Sequence, residues 1–438
     1  MPNLYVVHCI DTEGPLKEPL EATFKRLNEL YNIKLEASEK NLKLLQDKKI
    51  DLGGLEHDIA RTFSQKLLAY NDTWEKIDQM LDSIMSKSFR EKFRDHDGNG
   101  IIYNWHCLDN VGFNTNERFR DLGFGKVYNF YNKKIKDTKS LDKIHWHFHP
   151  LSFFKEAHIC STSYDNSYEI LHQILSRRLI NNQWFPVVNR AGFHAIRQDS
   201  NFFLEQWIPF DFSNQSLYLD DDSLSSDSNR YGNWSRAPKE WLPYNPSHED
   251  YQSKGNMNRY TTKCLNVGTR FKLLTNYEIE MAFKIAEKKG SAILAFTNHD
   301  FRDMSVDIID TYERIHSISK KFDSVKICNS DAVNAMQNAI EKKDNYENIE
   351  LAINLDKNNS STKIKVDTIK GSTFGSQPYL AIKTKDNRYF HDNFNEVDYG
   401  KSWEYILDRA SINVNDIEKI VVASNDYYGN QSIKKLNL

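Results

Sequence analysis

Hydrophobic positions along the chain change period several times, and each change predicts a change of element. The opening run Leu4 to Ile10 is short, apolar and partly β-branched, which predicts a buried strand ending at the turn Asp11-Thr-Glu-Gly-Pro15. From about residue 20 to 95 the spacing becomes helical. Leu27, Leu30 and Tyr31, then Trp74, Ile77, Met80, Leu81 and Ile84, recur at three and four residues. This stretch reads as a helical insertion, closed by the turn-rich Asp95-His-Asp-Gly-Asn-Gly100. Strand-like runs return at Ile101 to Leu108, leading to Asp109, at Lys143 to His149, and at Trp184 to Val188, leading to Asn189-Arg190-Ala-Gly192. The clearest βα pattern comes later. Thr275 is placed to cap a helix carrying Ile279, Ala282, Phe283 and Ala286; Gly290 ends it, Ser291 to Phe296 is a strand, and a helix with Ile308, Ile309, Tyr312 and Ile315 follows. Strand and helix in alternation predict an α/β fold with a parallel sheet or barrel.

The polar run Asp221 to Asn229 is expected to be a surface loop, and the stretch from Trp234 to Tyr251 has no clear period. Beyond about residue 345 the pattern alternates: Leu351, Ile353, Leu355, then Ile364 and Val366, then Tyr379 and Ala381 against Leu380 and Ile382. That predicts a β-rich accessory domain over 345–438, after a first domain over 1–340 that carries the insertion at about 20–95. All candidate site positions precede the accessory domain, so the first domain is expected to fold without it.

Composition narrows the function classes. A chain of 438 residues suggests two domains or one large barrel with an appendage, and 39% hydrophobic residues supply the core. With 27% charged residues and a net charge of only -3, nothing in the electrostatics calls for nucleic acid. No run approaches the ~20 apolar residues of a membrane span, and the N-terminus shows no basic leader. The five cysteines are scattered, without a CxxC pair, as expected of reduced thiols in a cytoplasmic protein.

The chemistry concentrates at two places. In Lys143-Ile-His-Trp-His-Phe-His-Pro150, alternate positions of a strand share a face, so His145, His147 and His149 point the same way. A lone histidine is ordinarily a satisfied core residue, but three on one face of a buried strand suit a metal site. The acids Asp11 and Glu13 follow the first strand. One could complete the coordination of a metal while the other takes a proton from water.

Taken in order, Asp-x-Glu after the first strand, His-Trp-His-Phe-His-Pro, Asn-Arg-Ala-Gly and a histidine past a late strand resemble the motifs of the polysaccharide deacetylases, carbohydrate esterase family four. The strings His-Cys-Ile-Asp-Thr-Glu-Gly-Pro, Arg-Ala-Gly-Phe-His and Trp-Leu-Pro-Tyr-x-Pro are similar to a WbmS-like branch associated with O-antigen and surface-polysaccharide loci. The resemblance implies a distorted (β/α) barrel and a divalent metal, zinc in the first place, that serves hydrolysis of an acyl group on a carbohydrate. It implies Asp11 as base, Glu13 as metal ligand where aspartate is usual, Arg190 as partner of the base and His299 as general acid, with Asp300 or Asp303 orienting its ring. The family's spacings fit either His145 with His149 or His147 with His149. The second pair is preferred, with His145 a third ligand or a partner to one. Asp109 is a further acid at a strand end. The implied substrate is an acetylated amino sugar, nucleotide sugar or oligosaccharide. The rivals are another metal-dependent amide or ester hydrolase and a non-catalytic carbohydrate-binding protein. The matching islands lie within residues 1 to 330, and the insertion between Glu13 and the histidines, which has no match in compact members, is expected to be a lid, a dimer surface or a substrate wall.

Overall fold

Almost unbroken burial from Leu4 to Thr12 makes β1 (Asn3–Thr12) the central strand of an all-parallel sheet. The computed structural model describes residues 1–161, 163–219, 232–340, 346–357 and 362–438; the expected loop Asp221 to Asn229 and the boundary at 341–345 lie outside them. The sheet continues with β2 (Tyr103–Asp109), β3 (Lys143–Phe148), β4 (Val188–Ala191), β5 (Phe210–Asn214), β6 (Tyr260–Asn266), β7 (Ser291–His299) and β8 (Lys326–Asn329). One edge of β1 pairs with β7 from Asn3 to Asp11. The other edge is divided: Asn3–Val6 pairs with β8 and His8–Thr12 with β2. The seven strands β1 to β7 therefore close into a parallel barrel, and β8 fills the lower half of the edge that β2 takes above. The expected strand at Trp184 to Val188 begins only at Val188, because Pro186 has no amide hydrogen to donate to a neighbouring strand.

Alternation along each strand separates two environments. Tyr5, Val7 and Cys9 of β1 join Val188, Phe210, Phe212, Cys264, Ile293 and Ala295 in the barrel interior, and the helix Ala332–Ala339 packs Ala332, Ala335 and Met336 against them. Leu4, Val6 and Ile10 face the other way, onto helices Asn276–Lys289 and Ser305–Ser319. The first of these is capped as expected, Thr275 accepting from the Glu278 amide and Gly290 closing it at φ 88°. The interior beside β1 and β4 to β7 is thus apolar in its lower part, while β2 and β3 turn Asn104, His106 and His145 inward at mid-depth and further polar positions gather at the C-terminal ends of the strands, the end at which such barrels build sites.

The insertion has two parts. Helices Leu20–Tyr31, Glu39–Gln46 and Glu56–Thr62 gather around Phe24, Leu27, Leu45, Ile59 and Phe63, a small core of their own. Helix Trp74–Ile84 instead buries Ile77, Met80, Leu81 and Ile84 in the main core, as the barrel's other helices do. No helix among the described residues is long and apolar enough to cross a membrane.

The tail forms two antiparallel sheets: β9 (Glu350–Lys357), β10 (Thr362–Lys370), β13 (Asn395–Asp398) and β14 (Ser402–Leu407) in one, β11 (Tyr379–Thr384), β12 (Tyr389–Asp392), β15 (Ile417–Asn425) and β16 (Gln431–Asn437) in the other. The alternation in β11 explains its place. Leu380 and Ile382 enter the core between the tail's sheets, while Tyr379 and Ala381 join Leu171, Leu175 and Leu179 of helix Tyr168–Asn182 in a cluster shared with the barrel. The Asn425 amide donates to the carbonyls of Pro186 and Trp207. These contacts fall near the starts of β4 and β5, opposite the site.

This shared cluster alters the expectation of independent folding. Deleting residues 346–438 is expected to uncover the apolar face of helix Tyr168–Asn182 and to lower the melting temperature or cause aggregation. A monomeric truncated chain with an unchanged melting temperature would show that the interface contributes little. The same interface predicts acid sensitivity. His172 and His391 stack at 4.3 Å and 7°, with Tyr379 at 4.1 Å from His391. Burial pushes His172 down to about 4 and also lowers His391, though the Leu380 carbonyl opposes the second shift. The unfolded chain, with histidines near 6.5, binds more protons in this window, so stability is complete above pH 6.5 and falls as pH drops toward 4. A His391→Phe variant, which keeps the ring stack, is expected to show a shallower decline of melting temperature over that range than the parent; parallel curves would assign the acid sensitivity to other groups.

Candidate metal centre

Strand register brings the separate motifs to one level. Asp11 on β1 is paired with His299 on β7, and His147 on β3 with Arg190 on β4. The His147 Nδ1–H donates to the Arg190 carbonyl at 2.8 Å, which leaves the Nε2 lone pair facing the interior. Nε2 of His149 lies 2.9 Å from it, and Oε1 of Glu13 lies 3.8 Å and 3.9 Å from the two nitrogens. These ligand atoms fall within 4.8 Å of one another and all three residues are buried. A tetrahedral ion with Zn–N bonds of about 2.0–2.1 Å would hold its ligands about 3.3 Å apart. Burial also keeps both imidazoles below their ordinary pKa, in the neutral form that binds cations. The cluster of Glu13, His147 and His149 can therefore hold a metal ion.

The backbone after β4 is shaped around His149. A Cβ on Gly192 would lie 2.2 Å from Cδ2 of His149, so only glycine admits the ring. Phe193 and His194 follow with φ of 54° each, left-handed conformations that cost about 1 kcal/mol or more apiece, and the Phe193 ring sits 4.7 Å from His149.

Arg190 is fully enclosed. Its Nε donates to Oδ1 of Asp11 at 2.8 Å, Nη1 to the Phe212 carbonyl at 2.7 Å, and Nη2 lies 3.3 Å from Nε2 of His194. Burial alone would raise the Asp11 pKa. The Arg190 guanidinium outweighs burial and holds the carboxyl well below the usual range, so Asp11 is ionised. His299 Nε2 lies 3.5 Å from Oδ2 of Asp11 and 4.0 Å from Glu13 Oε1, and burial pushes it down to about 3, leaving the ring neutral.

Several expected residues take other roles. His145 lies deeper on the same inward face: its Nε2 is 3.0 Å from Oδ1 of Asn104 and its ring packs 5.1 Å from His106, away from Glu13. Asp300 does not orient His299. It accepts from the amides of Glu13 and Gly14 at 2.8 and 3.0 Å and from the Tyr131 hydroxyl at 2.8 Å, clamping the turn that carries Glu13. Asp303 accepts from the Ser305 amide at 2.9 Å, just before helix Ser305–Ser319. Asp109 is paired with Arg178 and accepts from the Trp146 indole.

Two partners escaped the sequence reading. Arg120 is ion-paired with Oε2 of Glu13, leaving Oε1 for the histidines, but it lies in a stretch with no period to mark it. His194, whose Nε2 also accepts from the Gln215 amide at 2.8 Å, stands in the Arg-Ala-Gly-Phe-His string without having been singled out. Comparison with models of known protein families and with curated proteins finds no match for the chain.

The glycine provides a test of the cluster that leaves every ligand in place. Gly192→Ala is expected to displace the His149 ring and weaken metal affinity by about tenfold or more, measured by competition with a chromogenic chelator. Parental affinity would show that His149 is not held by this contact.

Proposed function

We propose that the protein is a metal-dependent hydrolase of the polysaccharide deacetylase type that removes an acyl group, N-acetyl in the first place, from a sugar or polysaccharide precursor, with zinc held by Glu13, His147 and His149. The observation that carries this reading is the company the cluster keeps: an ionised Asp11 anchored by Arg190, and a neutral His299, both lining the same pocket as the three ligands. A non-catalytic sugar-binding protein has no need of a base and an acid beside such a cluster.

A divalent cation at this position supplies Lewis acidity toward a carbonyl oxygen and toward water. Asp11 accepts the proton that the attacking water gives up, and Arg190 fixes the direction of its lone pairs. His299, within reach of the other Asp11 oxygen, takes up a proton and delivers it to the leaving nitrogen. Arg120 and Asp300 hold Glu13 from its side chain and its backbone, so the ligand does not swing away as the substrate enters.

The expected metal content is about one ion per chain, with most of it lost in Glu13→Ala or in the double change of His147 and His149 to alanine. Stoichiometric metal in the double variant would move the site elsewhere. Asp11→Asn is expected to keep the ion and lose about 10²- to 10⁴-fold in turnover of an acetylated amino sugar. Turnover within a few-fold of the parent would remove Asp11 from the role of base.

A further inference from the structure

The pocket above the metal centre, a cavity of about 160 Å³, has one wall of a distinct chemistry. Three arginines alternate with two aromatic rings along it. Arg118 and Arg302 stand 5.7 and 5.2 Å from the Tyr70 ring centroid, and Arg302 and Arg120 stand 4.9 and 5.5 Å from that of Phe301. Arg118 is paired with Glu18 and donates to the Tyr70 hydroxyl at 3.0 Å, but Glu18 is shared with Arg26 at 2.9 Å. Arg120 meets Glu13, whose other oxygen belongs to the metal cluster. Arg302 donates its Nε to the Leu67 carbonyl at 2.9 Å and has no carboxylate partner among the described residues. Of the remaining acids of the lining, Glu117 pairs with Lys25 at the exposed rim and Glu29 is exposed, while Glu156 is buried, accepts from the Thr115 hydroxyl and has no cation within ion-pair distance among the described residues, so it offsets the arginines in part.

Half-buried guanidinium groups, one of which, Arg302, has no carboxylate partner among the described residues, put positive potential into the cavity, to which an ion in the candidate cation site would add. We propose that this wall binds a phosphate or diphosphate group of the substrate, so that the acyl sugar enters as a glycosyl phosphate or nucleotide sugar; this rests on the hydrolase reading for the sugar but not for the anion. A guanidinium presents paired donors that match phosphate oxygens. One such fork saturates a single carboxylate, whereas three forks spaced by two rings offer donors to successive phosphate oxygens. The rings keep the guanidinium planes apart and shield them from water. A neutral polysaccharide would leave Arg302 without an anionic partner.

The test uses inorganic pyrophosphate as probe, with succinate as the dicarboxylate control, in calorimetric titrations of the full chain both as purified and after metal stripping and dialysis. The stripped chain is expected to bind one pyrophosphate with a Kd below about 1 mM. Arg302→Gln, which leaves no acid without a partner, is expected to weaken this at least about tenfold, and Arg118→Gln to do likewise. Arg61→Gln, an exposed change of equal charge on the insertion, should leave it unaltered. Circular dichroism melting curves establish that each variant is folded, and Arg302→Lys, which keeps the charge but loses the fork, should fall between parent and Arg302→Gln. Absence of pyrophosphate binding, equal binding by Arg302→Gln, or equally tight succinate binding would each overturn the proposal. Arginine-dependent pyrophosphate binding by a chain that contains no metal as purified and takes up none when divalent ions are added back would overturn the hydrolase reading and leave the anion site standing. Metal binding and turnover without pyrophosphate binding would do the reverse.

Discussion

The buried contact between Asp11 and Arg190 is the interaction on which the site depends. Taking two charges out of water is expensive, and such a pair adds little net stability over apolar packing, but removing one partner costs about 3–5 kcal/mol because the other is stranded. The pair is therefore an organising constraint. Through it β4 is tied across the interior to β1, through Nη1 to the Phe212 carbonyl of β5, and through its own carbonyl to the His147 ring of β3. One residue thus keeps Asp11 ionised and sets the tautomer of a candidate metal ligand. The first effect comes from its side chain and the second from its main chain, and both require Arg190 to sit at the His147 level of the register.

A second constraint acts on the turn after β1. Asp300 accepts from two consecutive amides of that turn and from Tyr131, while its own carbonyl accepts from the Asn71 side chain at 2.9 Å. The Asn71 backbone in turn bonds Phe301 and Leu16 at 2.8 and 3.1 Å. The end of β7, the turn carrying Glu13 and the insertion are therefore one hydrogen-bonded unit. Placement of the Glu13 carboxylate follows from this unit and from Arg120, which explains how a glutamate, with one more rotatable bond than aspartate, is kept in a single position.

The legible part of this arrangement is what periodicity encodes. Two-residue alternation put His145, His147 and His149 on one face, and apolar β-branched runs located β1 and β7, because burial on both sides leaves that signature. Depth along the barrel is not encoded in alternation. His145 shares the correct face, yet the pairing of His106 with His145 sets it below the ligands, beside Asn104. The strand and helix alternation left sheet and barrel open and the resemblance implied a barrel, which the structure has, but nothing in the sequence of β1 says that its edge is divided between β8 and β2. Arg120 belongs to an aperiodic segment whose position is set by tertiary contacts, and Asp300 was assigned by proximity in sequence to His299 although its hydrogen bonds run to the opposite side. In the tail, by contrast, Tyr379 and Ala381 against Leu380 and Ile382 already contained the two faces; only the identity of the second face, the barrel itself, required the structure.

The long separation between Glu13 and the histidine cluster acquires a physical meaning from the pocket wall. Chain inserted there has to leave the barrel at the turn after β1 and return to β2, so it passes over the C-terminal mouth where Glu13 lies. Its first half has too little apolar surface to form more than a small core around Phe24, Leu27 and Ile59, and that core docks beside the mouth with Arg26, Leu67 and Tyr70 on the pocket side. The barrel contributes Phe301 and Arg302 from the end of β7, and the aperiodic loop after β2 contributes Arg118 and Arg120. No one of these segments makes the wall alone: Tyr70 needs Arg118 and Arg302 from the other two, and Arg302 needs the Leu67 carbonyl. The insertion thus forms a wall of the pocket, built at the place where chain length can be added without disturbing the register that assembles the candidate metal cluster.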